Sequence, residues 1–290
     1  MNNIKFGEIK YNLNEKTLLM GILNVTPDSF SDGGKYNTIE DAIKRALIME
    51  KQGADIIDIG GESTRPGAKK ISIDEELNRV LPIIDELSDK ISIPISIDTY
   101  KSEVAKKAID AGATMINDIS ALREDKNLVN IAREYNTVLS LMHMKGNPIN
   151  MQNNPYYDDV IAEIFQFLKV RTDYAIKNKI KKEKIIIDPG IGFGKRTGKN
   201  IEDNCEILKK LGKLKLLKFP ILVGASRKKF IGNICGESRP LDIDERLEGS
   251  LAAASIAVIN GANIIRAHDI KETRRCLNLI DCVIKKNSLK

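Results

Sequence analysis

Short apolar runs rich in β-branched residues alternate with amphipathic stretches along the whole chain. The apolar runs have the length of strands, and the longer stretches repeat their apolar positions with the period of a helix. Such alternation predicts βαβ units and a parallel sheet. The predicted strands are Thr17–Asn24, Asp55–Gly60, Pro94–Asp98, Thr114–Asp118, Thr137–His143, Lys184–Asp188, Pro220–Gly224 and Asn263–Arg266, and the predicted helices include Ile39–Gln52, Asp74–Leu87, Lys101–Ala111, Tyr156–Asn178 and Glu245–Asn260.

Eight predicted strands without a glycine-rich linker or a break in composition favour a closed barrel. We therefore predict an α/β fold, a single (β/α)8 TIM barrel that forms one domain over residues 1–290. A doubly wound open sheet is the alternative, but its first turn would carry the G-x-G-x-x-G sequence. The glycine-rich segment Gly190–Lys195 does not match the Walker pattern either, because no G-K-[S/T] follows at the needed spacing.

The composition is that of an ordinary globular protein, with 42% apolar and 30% charged residues. The sequence has no apolar run long enough to span a bilayer, and its polar first residues lack the apolar block of a signal peptide. We therefore expect a cytoplasmic protein that does not enter a membrane. The four cysteines form no C-x-x-C pair, and two histidines are too few for a histidine-based metal site.

The net charge of +6 suits anionic substrates but does not identify them. The lysine-rich stretches 177–184 and 209–218 are typical of solvated helix faces and their connections. Because the chain also shows no nucleic-acid-binding motif and little aromatic interleaving, we expect no nucleic-acid partner.

Polar residues follow every predicted strand. In a barrel the active site is built at the carboxyl ends of the strands, from the loops that follow them. One polar residue in such a place often only caps a helix, but eight groups in succession indicate a site. The groups are Asn24 to Asp32, Glu62 to Arg65, Asp98-Thr99, Asn117-Asp118, Met142-His143-Met144, Asp188, Ser226-Arg227-Lys228 and Arg266 to Asp269.

The chemistry of these groups indicates a nitrogen heterocycle. Asp98, Asn117 and Asp188 offer two carboxylates and an amide, which match a flat ring with N–H and amine donors. Lys228 could donate to a carbonyl or imine nitrogen of the same ring.

Other groups are suited to a phosphate or diphosphate on that heterocycle. Arg65, Arg266 and His268 supply positive charge and hydrogen-bond donors for phosphate oxygens. Mg²⁺ prefers hard oxygen ligands beside phosphate oxygens and waters. The candidates for such ligands are Asn24, Asp28 and Asp32.

At this point the sequence resembles the dihydropteroate synthases. The first signature covers Met20–Gly34, MGILNVTPDSFSDGG, and the second covers Gly60–Gly67, GGESTRPG. The segments IDT, IND, LMHM, IDPGIGFGK, GASRK and RAHD follow in the order of that family, so the resemblance extends from about Leu18 to the last predicted helix. It implies condensation of (7,8-dihydropterin-6-yl)methyl diphosphate with 4-aminobenzoate in folate biosynthesis, with sensitivity to sulfonamides.

The resemblance also implies a role for each matching residue, Mg²⁺ as the cofactor and a homodimer. Loss of diphosphate would leave a pterin-stabilised cation that the arylamine attacks. The implied pterin site consists of Asp98, Asn117, Asp188 and Lys228, lined by Met142 and Phe193. The implied diphosphate site consists of Arg266, His268 and Thr64, with Asn24 as the metal ligand and Asp32 as the residue that stabilises the cation. The implied 4-aminobenzoate pocket consists of Arg65, Pro66, Phe193 and Lys229.

Two other functions share parts of this pattern. Methyltetrahydrofolate-binding methyltransferases would keep a pterin pocket, but would not need the diphosphate-binding residues or the first signature. A catalytically silent paralogue should have lost residues of the first two signatures, and none is lost here.

Some polar residues near the site have simpler interpretations. We expect His143 to be a satisfied, partly buried residue, and Lys195 and Arg196 to be exposed loop charges. Asp118 and Asp269 are interpreted as helix-starting residues or as residues that support a ligand from behind. Glu62 could orient Arg65 or pair with a neighbour.

Overall fold

A barrel of parallel strands surrounded by helices forms the centre of the molecule. The computed structural model describes residues 3–26, 39–65, 67–198 and 201–285. Within these residues eight parallel strands are hydrogen-bonded in the order β11-β12-β3-β4-β5-β6-β7-β8. Their bounds are β3 Leu18–Asn24, β4 Ile56–Gly60, β5 Ile95–Asp98, β6 Met115–Asp118, β7 Val138–Met142, β8 Ile185–Asp188, β11 Leu222–Val223 and β12 Ile264–Ala267.

The two ends of this sheet meet, so the sheet closes on itself. A parallel bridge joins Ile187 of β8 to Ile221, next to β11, and the Ile187 amide donates to the Pro220 carbonyl at 3.0 Å. The predicted (β/α)8 barrel is confirmed. The predicted strands agree with the observed ones to within two residues at each end.

Helices follow the strands on the outside of the barrel. Their bounds are α1 Ile39–Lys51, α2 Ile73–Ser88, α3 Ser102–Asp110, α4 Leu128–Glu134, α5 Val160–Lys177, α6 Asp203–Lys210, α7 Lys229–Cys235, α8 Leu247–Ile259 and α9 Ile270–Ile284. Helix α5 begins four residues after the predicted Tyr156, because the Asp159 side chain accepts hydrogen bonds from the amides of Ile161 and Ala162. The lysine-rich stretches lie at helix ends and connections as predicted, except that Lys184 is buried and donates to the Lys5 carbonyl.

A β-hairpin covers the amino-terminal end of the barrel. Its antiparallel strands, β1 Asn3–Phe6 and β2 Ile9–Asn12, were not predicted from the sequence. A second small antiparallel pair, β9 Thr197–Gly198 and β10 Ile201–Glu202, lies in the connection that follows β8. Ile4 and Phe6 of the first hairpin are buried against the apolar residues inside the barrel.

Inward-facing residues change in character along the barrel axis. We call the apolar set next to the hairpin the lower core: Met20, Ile56, Met115, Val138, Ile186, Leu222 and Ile264. Successive side chains of a strand point to opposite faces, so the residue two positions further on also faces inward. We call that second set the upper layer: Ile22, Asp58, Asn117, Ser140, Asp188, Gly224 and Arg266. Five of its seven members are polar, and the layer lies at the carboxyl ends of the strands.

Candidate active site

Several of the predicted strand-end residues lie side by side. In the registers of β3 to β6, Asn24 is opposite Gly60, Gly60 is opposite Asp98, and Asp98 is opposite Asn117. Gly60 lies close to both neighbours, since a Cβ atom there would be in van der Waals contact, at 3.5 Å, with both Asn24 Oδ1 and Asp98 Cβ. The structure therefore brings the candidate metal ligand and two candidate pterin ligands to one side of the barrel mouth.

Arg266 connects this row to a residue that the sequence analysis missed. Its Nε donates to Asp58 Oδ2 at 2.6 Å, and its Nη2 donates to Asp98 Oδ2 at 2.8 Å. Asn117 Nδ2 also donates to Asp58 Oδ2, at 3.1 Å. Asp58 is fully buried (0% exposed), so these contacts make it the deepest charged member of the cluster. A guanidinium has five N–H donors, and three remain for other partners of Arg266.

The two candidate pterin carboxylates are in surroundings that disfavour charge. Burial raises the pKa of Asp98 above its ordinary value, and the attraction of Arg266 only partly opposes this. Burial also raises the pKa of Asp188, to about 6, although the Gly190 amide donates to its Oδ1 at 2.7 Å. A ligand that donates N–H groups to these carboxylates would satisfy them in their charged form.

Lys228 lies over an aromatic ring at the opposite side of the mouth. Its Nζ is 4.1 Å from the centroid of the Phe193 ring. Burial, followed by repulsion from Arg266, lowers the pKa of Lys228 to about 8. Met142 packs beside this pair, in an apolar cluster that includes Tyr100 and has Phe193 at its edge. These residues form an apolar and cationic wall beside Asp188, which is the register partner of Met142.

His268 is held in one orientation by Ser226. The Ser226 hydroxyl and His268 Nδ1 are 3.0 Å apart, and the His268 amide donates to the same hydroxyl oxygen at 3.2 Å. If Ser226 donates to Nδ1, the proton of the ring is on Nε2. Burial, with repulsion from Arg266 and Arg227, lowers the pKa of His268 to about 3. The lowered pKa favours a neutral His268 that donates from Nε2, so the nearby positive charge belongs to Arg266 and, among the described residues, to Arg227 and Lys228.

A partly buried lysine binds the loop after β4 to its surroundings. Lys101 Nζ donates to Glu62 Oε2 and to Glu76 Oε2, both at 2.6 Å, and to the Ile71 carbonyl at 2.9 Å. Glu62 therefore pairs with a neighbour, the second of its two interpretations. On the same loop Thr64 is half-buried and Arg65 is exposed. Among the described contacts neither makes a hydrogen bond to the Asp58–Arg266–Asp98 cluster.

Asp269 is at the start of α9 as expected, although its side chain does not cap the helix, whereas Asp118 precedes a turn and not a helix. The Asp118 carboxylate accepts hydrogen bonds from the amides of Ser120 and Leu122, and Asp269 binds Arg227 through both carboxylate oxygens, at 2.6 and 3.1 Å. The predicted positions Asp28, Asp32 and Pro66 lie outside the described residues. The described residues contain no cluster of three or more His, Cys, Asp or Glu side chains that could hold a metal ion.

One expectation about loop charges was wrong. Lys195 is buried (1% exposed), and its Nζ lies 3.1 Å from His143 Nδ1, so the predicted exposed loop charge is an interior one. The glycine-rich backbone around it supplies acceptors that a sequence pattern does not reveal. His143 is buried and satisfied, as predicted. Arg196 pairs with the buried Asp203, at 3.0 Å.

Comparison with known proteins matches this arrangement to one family. The model of the pterin binding enzymes matches residues 20–268. The chain belongs to this family. A dihydropteroate synthase from Synechocystis is 44% identical over 277 residues, which cover 96% of this chain and 93% of that protein.

Solved structures of the family have the same fold. A Yersinia pestis dihydropteroate synthase in complex with a sulfonamide drug superposes with a TM-score of 0.90 at 40% identity, covering 97% of this chain and 98% of that one. A Xanthomonas albilineans dihydropteroate synthase with 4-aminobenzoic acid has a TM-score of 0.88 at 41% identity, with the same coverage. In the part of the chain that the structure describes, no helix is long and apolar enough to cross a membrane.

Proposed function

We propose that this protein is a transferase of folate biosynthesis, which condenses (7,8-dihydropterin-6-yl)methyl diphosphate with 4-aminobenzoate to give 7,8-dihydropteroate and diphosphate. The observation that carries the proposal is the buried polar upper layer, in a chain 44% identical to a dihydropteroate synthase. The cytoplasmic location expected from the sequence stays a prediction.

The upper layer and the residues above it would hold the pterin. Asp98, Asn117 and Asp188 would accept and donate hydrogen bonds along the aminopyrimidinone edge, and Lys228 would donate to a ring acceptor. Beneath them Asp58 Oδ1, Ser96 Oγ and Ser140 Oγ are buried without a hydrogen-bond partner among the described residues. Buried polar atoms are usually paired, so these three favour an interior built to contact a polar ligand or ordered water.

Arg266 and His268 would bind the diphosphate. Arg266 would use its three remaining N–H donors and its charge, while His268 would donate from Nε2, and Thr64 would contribute from the loop after β4. Binding of an anion beside His268 favours the imidazolium, so the histidine could take up a proton as negative charge builds on the leaving group.

Asn24 is the described residue that we propose as a ligand of Mg²⁺. Its amide oxygen lies beside Gly60, where a Cβ atom would be 3.5 Å from it, next to Asp98. A single amide oxygen fits Mg²⁺, which usually keeps waters and phosphate oxygens as its other ligands. When bound, the ion would neutralise charge on the diphosphate.

The arylamine would lie between the loop after β4 and the Phe193 wall. Arg65, Pro66 and Lys229 are the remaining members of this proposed pocket. In the reaction the bond from the pterin methylene carbon to the diphosphate oxygen breaks, the amine nitrogen bonds to that carbon, and the nitrogen then loses a proton. Exclusion of water would prevent hydrolysis of the electron-poor carbon. Asp32 is the proposed stabilising carboxylate.

The test is diphosphate release by the purified protein with the pterin diphosphate, 4-aminobenzoate and Mg²⁺. We expect release that requires the arylamine, yields dihydropteroate and is inhibited by a sulfonamide. Tight pterin binding without turnover would instead support a silent paralogue. Methyl transfer from methyltetrahydrofolate would support the methyltransferase.

We also propose that the protein is a homodimer through α8 and α9. Helix α8 is apolar on almost all sides, and the outer face of the pair exposes large apolar side chains; a helix of this kind is normally covered. A two-fold axis would place this face against itself. The exposed residues are Ile256, Ile259, Leu279, Val283 and Ile284. Sedimentation should give a dimer for the protein and a monomer for Leu279→Glu; a monomeric wild type would contradict the proposal.

A further inference from the structure

The Lys195 ammonium is buried in the loop that follows β8. Its Nζ donates to the Phe193 carbonyl at 2.7 Å and to the Gly190 carbonyl at 2.9 Å, and it lies 3.1 Å from His143 Nδ1. A lysine is rarely fully buried unless it is paired. Here the partners are two backbone carbonyls and a histidine.

The number of partners matches the number of donors. A charged lysine has three N–H donors and no acceptor, and three acceptors surround this one. His143 can be the third acceptor because burial, with repulsion from Lys195 and Arg123, lowers its pKa and keeps the ring neutral. An edge-to-face contact with Phe167, 4.8 Å between centroids, holds the ring in place.

The loop around Lys195 is packed so tightly that its carbonyls have little freedom to turn. Gly190 has φ +69°, and a Cβ atom there would lie 1.9 Å from the His143 carbonyl oxygen. Gly194 has φ +59°, and a Cβ atom there would lie 2.5 Å from the Lys145 carbonyl oxygen. A lost donor at Lys195 would therefore leave buried acceptors unsatisfied or force the loop to move.

The same backbone segment positions two groups of the candidate site. The Gly190 amide donates to Asp188 Oδ1 at 2.7 Å, and the Phe193 ring lies beneath Lys228 Nζ. Lys195 thus binds the carbonyls of the two residues that fix the Asp188 carboxylate and form the aromatic wall.

We propose that Lys195 is a positioning residue: its ammonium fixes the backbone of residues 190–193, and through it the Asp188 carboxylate and the Phe193 ring. The substrates that meet these two groups are those of the proposed function, so the kinetic part of the inference rests on that function. The structural part does not.

The contacts of the Lys195 ammonium with the Gly190 and Phe193 carbonyls and with His143, which we call the clamp, should respond to pH in the neutral range. Burial lowers the pKa of Lys195 to about 7; Asp188 and Asp203 favour its charged form, while Lys228 and Lys145 oppose it. Below this pKa all three donors are present. As the pH rises through it the amine loses one donor, and the neutral His143 stays an acceptor on one nitrogen, so the clamp weakens on the alkaline side.

A fluorescence experiment tests the structural part without substrates. The chain has no tryptophan, so Phe193→Trp places a single reporter on the loop. In this background we expect Lys195→Met to increase acrylamide quenching and to remove the pH transition near 7, while the changes that follow Asp188 near pH 6 and Lys228 near pH 8 remain. Lys145→Met is the matched control, a cation of the adjoining segment that binds Glu163 instead. It should leave the quenching unchanged and keep the transition, moved to higher pH because Lys145 no longer repels the Lys195 ammonium. If Lys195→Met does not fold, Lys195→Gln replaces it. Equal quenching and an unchanged transition in the Lys195 variant would overturn the proposal.

Kinetics separate positioning from a loss of folded protein. In the otherwise unchanged chain, Lys195→Met should raise the KM for 4-aminobenzoate about tenfold, because the Phe193 ring of its proposed pocket is no longer held in place and a misplacement of about 1 Å can cost up to about 100-fold. The kcat should change much less, whereas a smaller folded fraction would lower kcat and leave KM unaltered. A normal KM together with a normal reporter signal would contradict the role of Lys195. Absence of turnover in the wild type, with the reporter response intact, would contradict only the proposed function.

Discussion

The lower core and the upper layer are two residues apart on the same strands, yet they do opposite things. Ile186 and Ile264 remove hydrocarbon from water, which stabilises the fold. Asp188 and Arg266, the next inward-facing residues, bury charge, which costs free energy unless each group is paired. The difference shows that two residues along a strand separate the apolar layer that stabilises the barrel from the polar layer that we propose to bind substrate.

The shifted pKa values reflect the free energy that is lost when these charged groups are buried. Burial moves the pKa of Asp188 up and that of Lys228 down, so both groups are displaced toward their neutral forms. Groups held in this way are typical of functional sites, where a ligand supplies the missing partners.

The largest effect on the fold should come from the lower core. Ile186→Ala should lower the free energy of unfolding by about 2–5 kcal/mol, because it leaves a cavity in a fully buried layer. Urea unfolding measures the loss. Pterin affinity of the folded protein should stay near the wild-type value, and a comparable loss of affinity would mean that the two layers are not separable.

The next effect belongs to the upper layer on the same strand. Asp188→Ala should weaken binding of the pterin diphosphate by about 10- to 100-fold, the range for a hydrogen bond to a charged group. Isothermal titration calorimetry gives the affinity, with Ile186→Ala as the matched variant one layer below. Retention of wild-type affinity would exclude Asp188 from the pterin site.

A pH titration should separate binding from stability at the same residue. An ionised Asp188 accepts hydrogen bonds from the pterin, so affinity should fall as the pH drops through about 6, the pKa of this buried group. The limit is about tenfold per pH unit. Calorimetry of the wild type and of Asp188→Asn separates the effect of titrating Asp188 from the effect of titrating Asp98. An equal pH dependence in both proteins would argue against it.

Stability should change in the opposite direction. Because the pKa of Asp188 is raised in the folded state, its contribution to stability is greatest below the unfolded pKa and is lost as the pH rises through about 6. Asp188→Asn should therefore increase the melting temperature more at pH 8 than at pH 5. A larger gain at pH 5 would contradict this sign.

The smallest effect is expected at Ser140, whose hydroxyl is buried without a partner among the described residues. Ser140→Ala removes an unsatisfied polar atom, so we expect the free energy of unfolding to rise by up to about 1 kcal/mol. Pterin affinity should fall only a few-fold. Destabilisation measured by urea unfolding would show that the hydroxyl is satisfied within the fold.

The barrel could be predicted because its signal repeats eight times. Each apolar run is short and buried on both faces. A change to polar residues marks the strand ends, for example at Asp98 in β5 and at Asn117 and Asp118 in β6. The contribution of Asp58 could not be predicted in this way. It lies inside the apolar run Ile56–Gly60, and its partner Arg266 is 208 residues away in sequence. Only the registers of the closed barrel bring the two together.

The positions of Lys101 and Lys195 were also beyond the sequence pattern. A lysine in a polar segment is usually exposed. Lys195 is buried because the glycine-rich turn directs two carbonyl groups at one point. Lys101 keeps only 12% of its side chain exposed because two glutamates converge on it. These contacts depend on backbone geometry and on pairs distant in sequence.

The barrel cannot close during synthesis until its last strand has been made. Strand β12 is the neighbour of β3, and Leu18 pairs with Ile264. The first strand of the barrel can therefore pair on this side only after a further 246 residues have been synthesised. At the usual pace of translation this delay is on the order of 10 to 50 s. Throughout that interval one edge of β3 offers unpaired backbone groups to other chains. We expect the nascent chain to depend on chaperones in this window more than the finished protein ever does.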